Sequence, residues 1–286
     1  MRLLRNIVVG ALDRPGGRTV LGALTTLYAR WVTGRLDVAC FYDGIWAHRV
    51  GQRYVVDRPR YAYFSDVIRN WPGNNEKVQS DVRDIWFIVY RPSPGEVIVD
   101  VGAGVGNEVY VFSQAVGPLG RVYAIEAHPG TYRRLAKMCE LNRLENVVPC
   151  HCAIAGEPGK VYIEDRWHHT RNAIFAERGC GQVSGQVRAL SLDKFCQECE
   201  IERIDFLKMN IEGAEKPALR GMSDVIGRTH HVCIACHDFR ADAGDGEEFR
   251  TRVAVTDFLI RHGFTIHVHG GGTPAYLRDH VHGVRS

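Results

Sequence analysis

The sequence predicts an α/β protein built on a parallel, doubly wound sheet. Three observations carry this expectation. From Gly95 onward, short apolar segments of strand length alternate with helical segments. A glycine-rich loop follows the first of those segments directly. Pro92, Pro94 and Gly95 break the chain just before the alternation begins.

The elements follow in order. Residues 1–90 read as an N-terminal cap that mixes helical and hairpin-like patterns. An apolar helix is expected near 18–33, and FYDGIW and RYVVD read as short strands joined across a turn. A polar helix is expected near 76–90. Residues 91–286 form the main domain, with strands expected at Val97–Val101, Val122–Glu126, Val147–Ala153, Phe206–Ile211, Val232–Cys236 and Phe264–Val268. One helix should begin at Pro129, a favoured first helical residue. Another should carry Phe249, Val253, Thr256 and Ile260 on one side and stop at Gly263. Residues 155–190 are long for a plain crossover, and VYIED and QVRAL suggest an inserted strand pair. HVHGGGTPAY reads as a glycine turn before a last, antiparallel strand.

Composition sets the class. Of 286 residues, 45% are hydrophobic and 24% charged, ordinary values for a globular chain with a sizeable core. Net charge is +3, but residues 1–70 carry eleven Arg against five Asp. The excess reads as a solvated Arg-rich surface; the sharper alternative is a face that meets an anionic or heavily hydroxylated partner. No basic stripe is interleaved with aromatics, which argues against a nucleic-acid partner. The apolar run Ile7 to Leu12 is only six residues long and Asp13 stops it, whereas a secretory core needs about 7–15. Val20 to Val32 contains Arg30 and is too short to span a bilayer. The expectation is a cytoplasmic protein without stable membrane insertion, with an amphipathic N-terminal helix resting on a membrane as the alternative. A homodimer is compatible with this reading.

Nine cysteines, an odd number without a secretion signal, argue against a disulfide framework. Cys196 with Cys199, and Cys233 with Cys236, have zinc-like spacing. Their flanks read otherwise: Cys233 and Cys236 would point to opposite faces of a strand, and Leu192, Phe195, Cys196 and Cys199 share one helical face. Both pairs are read as core.

VIVDVGAGVGNEVY is the strongest motif. Glycines at 102, 104 and 106 let the backbone turn sharply and approach a ligand closely. The spacing is G-x-G-x-G with Asn107 next, not the G-x-G-x-x-G of a dinucleotide site. Asp100 precedes the glycines, where a pyrophosphate would be repelled and a cationic ligand welcomed. Glu126 ends the second strand, placed to accept bonds from two ribose hydroxyls. Together these point to S-adenosylmethionine, with Asp100, Gly102, Ala103, Gly104, Gly106, Asn107, Glu126, Ala127 and Asn210 around it. Cys152 and Ala153, at the expected end of the third strand, should border the adenine.

DVGAGVGNE, YAIEAHP, SLDKF and IDFLKMNIEGAE resemble the FkbM-type methyltransferase family, over about residues 95–240. The resemblance implies a class I methyltransferase sheet of seven strands. It also implies methyl transfer from S-adenosylmethionine to a hydroxyl, often on a sugar or macrolide. One departure is Asn210, where the family usually has an acidic residue.

The chemistry should lie beyond the carboxyl ends of strands four and five, which give Asn210 and Glu212, then His237 and Asp238. His237 is a candidate general base, with Asp238 or Glu212 to orient it. Alternatively Asn210, Glu212 and Asp238 supply hard oxygens for Mg²⁺. The expected reaction is O-methylation of a small-molecule or oligosaccharide acceptor. An N- or carboxyl-methyltransferase and a non-catalytic cofactor-binding module are the alternatives. Thirty Arg against six Lys suggests a GC-rich genome, which favours glycan or glycolipid tailoring of the methylmannose-polysaccharide type.

Overall fold

The computed structural model describes residues 9–56, 64–164, 174–175, 183–268 and 278–285. His168, His169, most of the expected HVHGGGTPAY turn and the start of the run Ile7 to Leu12 lie outside them. The chain divides into two compact units, one of residues 1–78 with 136–143, the other of 79–135 with 144–286.

In the first unit, α1 (Arg18–Thr33) lies on an antiparallel meander of β1 (Val38–Asp43), β2 (Ile45–Val50) and β3 (Arg53–Val55). The turn falls inside FYDGIW rather than after it. Gly44, at φ +70°, reverses the chain so that Asp43 pairs with Ile45. Leu21, Ala29, Val38, Cys40, Trp46 and Val50 form its core. The next helix, α2 (Phe64–Asp81), begins well before the expected 76 and ends in a π turn over Val82–Trp86.

Beyond that turn the chain runs through β4 (Val97–Val101), α3 (Asn107–Val116), β5 (Arg121–Ile125), α4 (Pro129–Leu141) and β6 (Val147–Cys150). The last residues of α4, from 136 on, belong to the first unit, and the rest lies in the second. β7 (Ala153–Ile154), β8 (Gly159–Glu164), β9 (Ile174–Phe175) and β10 (Val183–Leu190) follow as a separate sheet in the order β7-β10-β8-β9. The inserted pair is therefore β8 with β10, extended by a short strand on either side. After α5 (Leu192–Glu198) come β11 (Ile204–Met209), α6 (Glu215–Arg220), β12 (Thr229–Ala235), α7 (Asp238–Asp242), α8 (Arg252–Arg261), β13 (Thr265–Val268) and β14 (His280–Val284).

The main sheet has seven strands in the order β13-β14-β12-β11-β4-β5-β6. All pairs are parallel except those of β14, which runs antiparallel to both neighbours. This is the seven-stranded α/β sheet that the sequence leads one to expect. Every residue of the central β11 is buried, as a strand covered on both faces requires. Two expectations change. The third strand stops at Cys150, and Ala153 pairs with Ala189 in the second sheet instead. α8 turns its other side inward: Val255, Phe258 and Leu259 are buried while Val253 and Ile260 face solvent. Both sets have helical spacing, and the packed set is the more continuous one. Cys196 is buried with Leu192 and Phe195 on α5, and Cys233 and Cys236 are buried on β12 and just after it.

Candidate active site

The glycine loop is built by backbone constraint. Gly102 has φ +83°, and a Cβ there would collide with the carbonyl oxygen of Asn210, so no other residue fits. Its N–H and that of Ala103 donate to the Ile125 carbonyl at 2.9 and 3.0 Å, tying the loop to β5. Gly104, at φ +58°, has open space where a Cβ would point. Gly106, at φ +88°, caps α3, and Asn107 is its first residue.

Glu126 closes the loop from the neighbouring strand. Its Oε2 accepts from the Gly104 N–H at 3.0 Å and its Oε1 from the His128 N–H at 2.7 Å. Burial raises its pKa to about 7 against the lowering effect of those two donors. Ala127 follows it, and its carbonyl lies 3.2 Å from His151 Nε2. Cys152 and Ala153 are buried where the chain leaves one sheet for the other.

Asp100 does not face an open site. It is fully buried, and its register partner on β11 is Lys208. Lys208 Nζ lies 2.7 Å from Asp100 Oδ1, donates to the Gly102 carbonyl at 2.9 Å, and sits 3.4 Å from Glu108 Oε2. Trp86 completes the cluster: its ring lies 5.0 Å from Nζ and its Nε1 donates to Glu108 at 2.9 Å. Burial raises the Asp100 pKa to about 6 despite Lys208, whereas the carboxylates overcome burial and raise Lys208 to about 12. The cation that Asp100 was expected to attract from a ligand is therefore supplied within the fold. Sequence reasoning missed Lys208. Its signal was a lone lysine inside the apolar strand IDFLKM, where a buried charge must find a partner.

The polar residues beyond β11 and β12 converge only in part. The Asn210 N–H donates to the Val101 carbonyl at 2.9 Å, and its Oδ1 is buried without a hydrogen-bond partner. Glu212 holds a left-handed φ of +56°, unusual for a side chain of its size. His237 lies between two glutamates, with Nδ1 3.0 Å from Glu215 Oε1 and Nε2 3.6 Å from Glu212 Oε1. Burial would lower the imidazole pKa; the two carboxylates outweigh it and raise it to about 9. Glu215 is fully buried and also accepts from the Gly213 N–H at 3.2 Å. The carboxylate nearest His237 is thus Glu215, with Glu212 farther off at the other ring nitrogen.

Asp238 is turned away from this cluster. Its Oδ2 accepts from the N–H groups of Thr251 and Arg252, both at 2.9 Å, at the start of α8. Glu212 Oε2 is held by Arg240 at 3.0 Å, and Arg240 stacks 3.8 Å over Phe249 and pairs with Asp245 at 2.9 Å. Asn210, Glu212 and Asp238 therefore do not fit Mg²⁺ as a joint oxygen set. Among the described residues no group of three or more His, Cys, Asp or Glu side chains is arranged to hold a metal.

Residues 100–266 match the model of the methyltransferase FkbM domain. The chain belongs to this FkbM methyltransferase family. That domain is a methyltransferase domain, and the match spans every residue of the two clusters except Trp86. The chain is 23% identical over 171 residues to the hexuronic acid methyltransferase AglP of Haloferax volcanii, covering 58% of this chain and 66% of that protein. It is 25% identical over 166 residues to the antimetabolite synthetase AmbE of Pseudomonas aeruginosa, covering 56% of this chain and 7% of that protein. The chain thus spans less than two thirds of either relative. Among solved structures it is similar to an FkbM methyltransferase from Methylobacillus flagellatus, at 16% identity and a TM-score of 0.47, over 77% of this chain and 60% of that one. The FkbM glycine loop fits the cofactor on three counts: the open side of Gly104, the buried Glu126 carboxylate and the unpartnered Asn210 Oδ1.

Proposed function

We propose that this protein methylates a hydroxyl group of a saccharide or glycolipid, with His237 as general base. The observation that carries this reading is the imidazole held between Glu215 and Glu212, beyond the carboxyl ends of β11 and β12. S-adenosylmethionine, when bound, supplies a methyl group already activated on a sulfonium. A hydroxyl nucleophile still has to lose its proton, and that task falls to the chain. Glu215 lies against Nδ1, and Nε2, at the longer 3.6 Å from Glu212, is the nitrogen assigned to take the hydroxyl proton. Glu212 then stabilises the imidazolium that forms, and Arg240 fixes Glu212 in turn. Asp238 and Glu212 are committed to other partners, so the reading assigns neither of them to a divalent metal. The name of the Haloferax relative supports a sugar acceptor.

The test is an acceptor screen with methyl-labelled cofactor across neutral hexoses, hexuronates and glycolipids. The expected product is an ether, whose label resists mild alkali. Label released by mild alkali would mark a carboxyl ester and overturn the hydroxyl acceptor. His237→Gln should abolish turnover on the best acceptor and leave cofactor affinity intact. A binding module would show no turnover with any acceptor.

A further inference from the structure

α1 is built inside out for a helix on a globular unit. Apart from Leu21, the side against the meander is made of small and polar residues. Gly22 lies so close to β1 that a Cβ would meet the Cys40 carbonyl at 3.0 Å. Ala29 is fully buried, and Thr26 Oγ1 accepts from the Cys40 N–H at 2.8 Å. Arg30 Nε donates to the Val38 carbonyl at 3.2 Å. The other large apolar side chains point the other way. Val20, Leu24, Leu27, Tyr28 and Trp31 recur at helical spacing and are all at least half exposed, Trp31 to 80%. Beyond the helix Leu36 is also 80% exposed. Such a continuous stripe is unlike the singly scattered apolar residues of an ordinary surface. Tyr28 and Trp31 sit together at its C-terminal end, ring centroids 6.1 Å apart, and these are the side chains suited to a boundary between water and hydrocarbon.

Charge selects the occupant. Residues 1–70 hold eleven Arg, five Asp, and neither Lys nor Glu. Arg14 and Arg18 precede or open α1 and Arg35 follows it; Arg18 pairs with Asp13 and Arg35 with Asp37, so the excess is carried by the segment as a whole rather than by these pairs. A second copy on this face would bring two positive units together. An anionic surface would neutralise the excess while taking up the apolar stripe. At 16 residues α1 is too short to cross a bilayer, and among the described residues no helix is long and apolar enough to do so. We propose that the outward face of α1 seats this protein flat on an anionic lipid surface, by Leu24, Leu27, Tyr28 and Trp31.

The experiment is co-sedimentation of the full chain with vesicles of phosphatidylcholine alone and of phosphatidylcholine mixed with phosphatidylglycerol. The wild type should partition onto the mixed vesicles and much less onto the neutral ones, and high salt should release it. Leu27→Ser with Trp31→Ser should lower the partition coefficient at least about tenfold. The same variant should keep wild-type cofactor affinity, which shows that it folds. Leu119→Ser, an 89% exposed control in the other unit, should change nothing. No binding of the wild type, equal binding to neutral vesicles, or unchanged binding by the double variant each overturns the proposal. So does a concentration-dependent dimer that the double variant abolishes, because the occupant is then a second copy. The readout uses no acceptor and no turnover, so its failure and that of the hydroxyl-methylation reading are separate events.

Discussion

Glu215→Gln is the sharpest test of the base. The substitution is nearly isosteric and removes one charge 3.0 Å from His237 Nδ1. In the wild type the imidazole stands at about 9 against an ordinary 6.5, although burial works against it. That rise is worth about 3.5 kcal/mol at about 1.4 kcal/mol per unit. Two carboxylates supply it, and Glu215 is the nearer, the other contact being 3.6 Å. Losing Glu215 should therefore lower the imidazole pKa by about 1–2 units. The sign is fixed: a base works only when deprotonated, so wild-type turnover should rise with pH toward a limb near 9. In Glu215→Gln the limb should move to lower pH. The assay is kcat against pH at saturating cofactor and acceptor. The sulfonium charge acts alike in both proteins, so the difference between the profiles isolates Glu215. A limb that stays in place in a folded variant would show that His237 is not the titrating base. A limb that survives in His237→Gln would show the same by another route.

Other outcomes follow from the same contacts. Glu126→Ala should weaken cofactor binding by about 1–3 kcal/mol in calorimetry, because buried hydroxyl partners lose their acceptor. With wild-type Glu126 at about 7, cofactor affinity should fall as pH drops through that value. In Glu126→Gln that dependence should flatten, and an unchanged slope would remove Glu126 from the ribose site. Lys208→Met leaves Asp100 buried and unpaired, so denaturant unfolding should show a loss of about 3–5 kcal/mol. Adding Asp100→Asn should recover part of it; no recovery would mean that Lys208 acts mainly on the Gly102 carbonyl. Exhaustive EDTA treatment should leave turnover intact, and loss restored by Mg²⁺ would place a metal at a site other than Asn210, Glu212 and Asp238.

What could be read in advance followed from local rules. β4 was legible to the residue because four apolar positions end at a turn that glycine alone can make. α1 was legible from its length and apolar content, but not its orientation, since periodicity does not say which stripe faces inward. α8 was misread for that reason, the sheet having selected Val255, Phe258 and Leu259. Non-local pairing was the larger obstacle. Ala153 looked like the end of the third strand because its flanks are apolar, yet its partner Ala189 lies on the inserted sheet. Asp238 looked like a site residue because it follows β12, yet two backbone N–H groups thirteen and fourteen residues on claim its carboxylate. Glu215 looked like a helix-start residue, and it does open α6, but the same position brings it against His237.

The two polar clusters hang on one strand. Lys208 lies two residues before the end register pair of β11 is left behind at Asn210, and Glu212 follows two residues later. Lys208 draws the Gly102 carbonyl down toward Asp100, while the Asn210 N–H fixes the end of β4 through Val101. The glycine loop and the glutamates beside His237 are thereby tied to the same strand, while His237 itself follows the neighbouring β12, and the link after β11 takes a left-handed turn at Glu212. A methyl transfer in line requires the donor and the proton acceptor to keep a fixed separation. A strand buried along its whole length supplies that separation better than either loop alone. On this argument Lys208→Met should lower kcat more than a stability loss explains, because the folded fraction no longer holds Gly102 against Asp100. Measured under conditions where the variant is fully folded, a kcat equal to the wild type's would show that the β11 anchor serves stability alone.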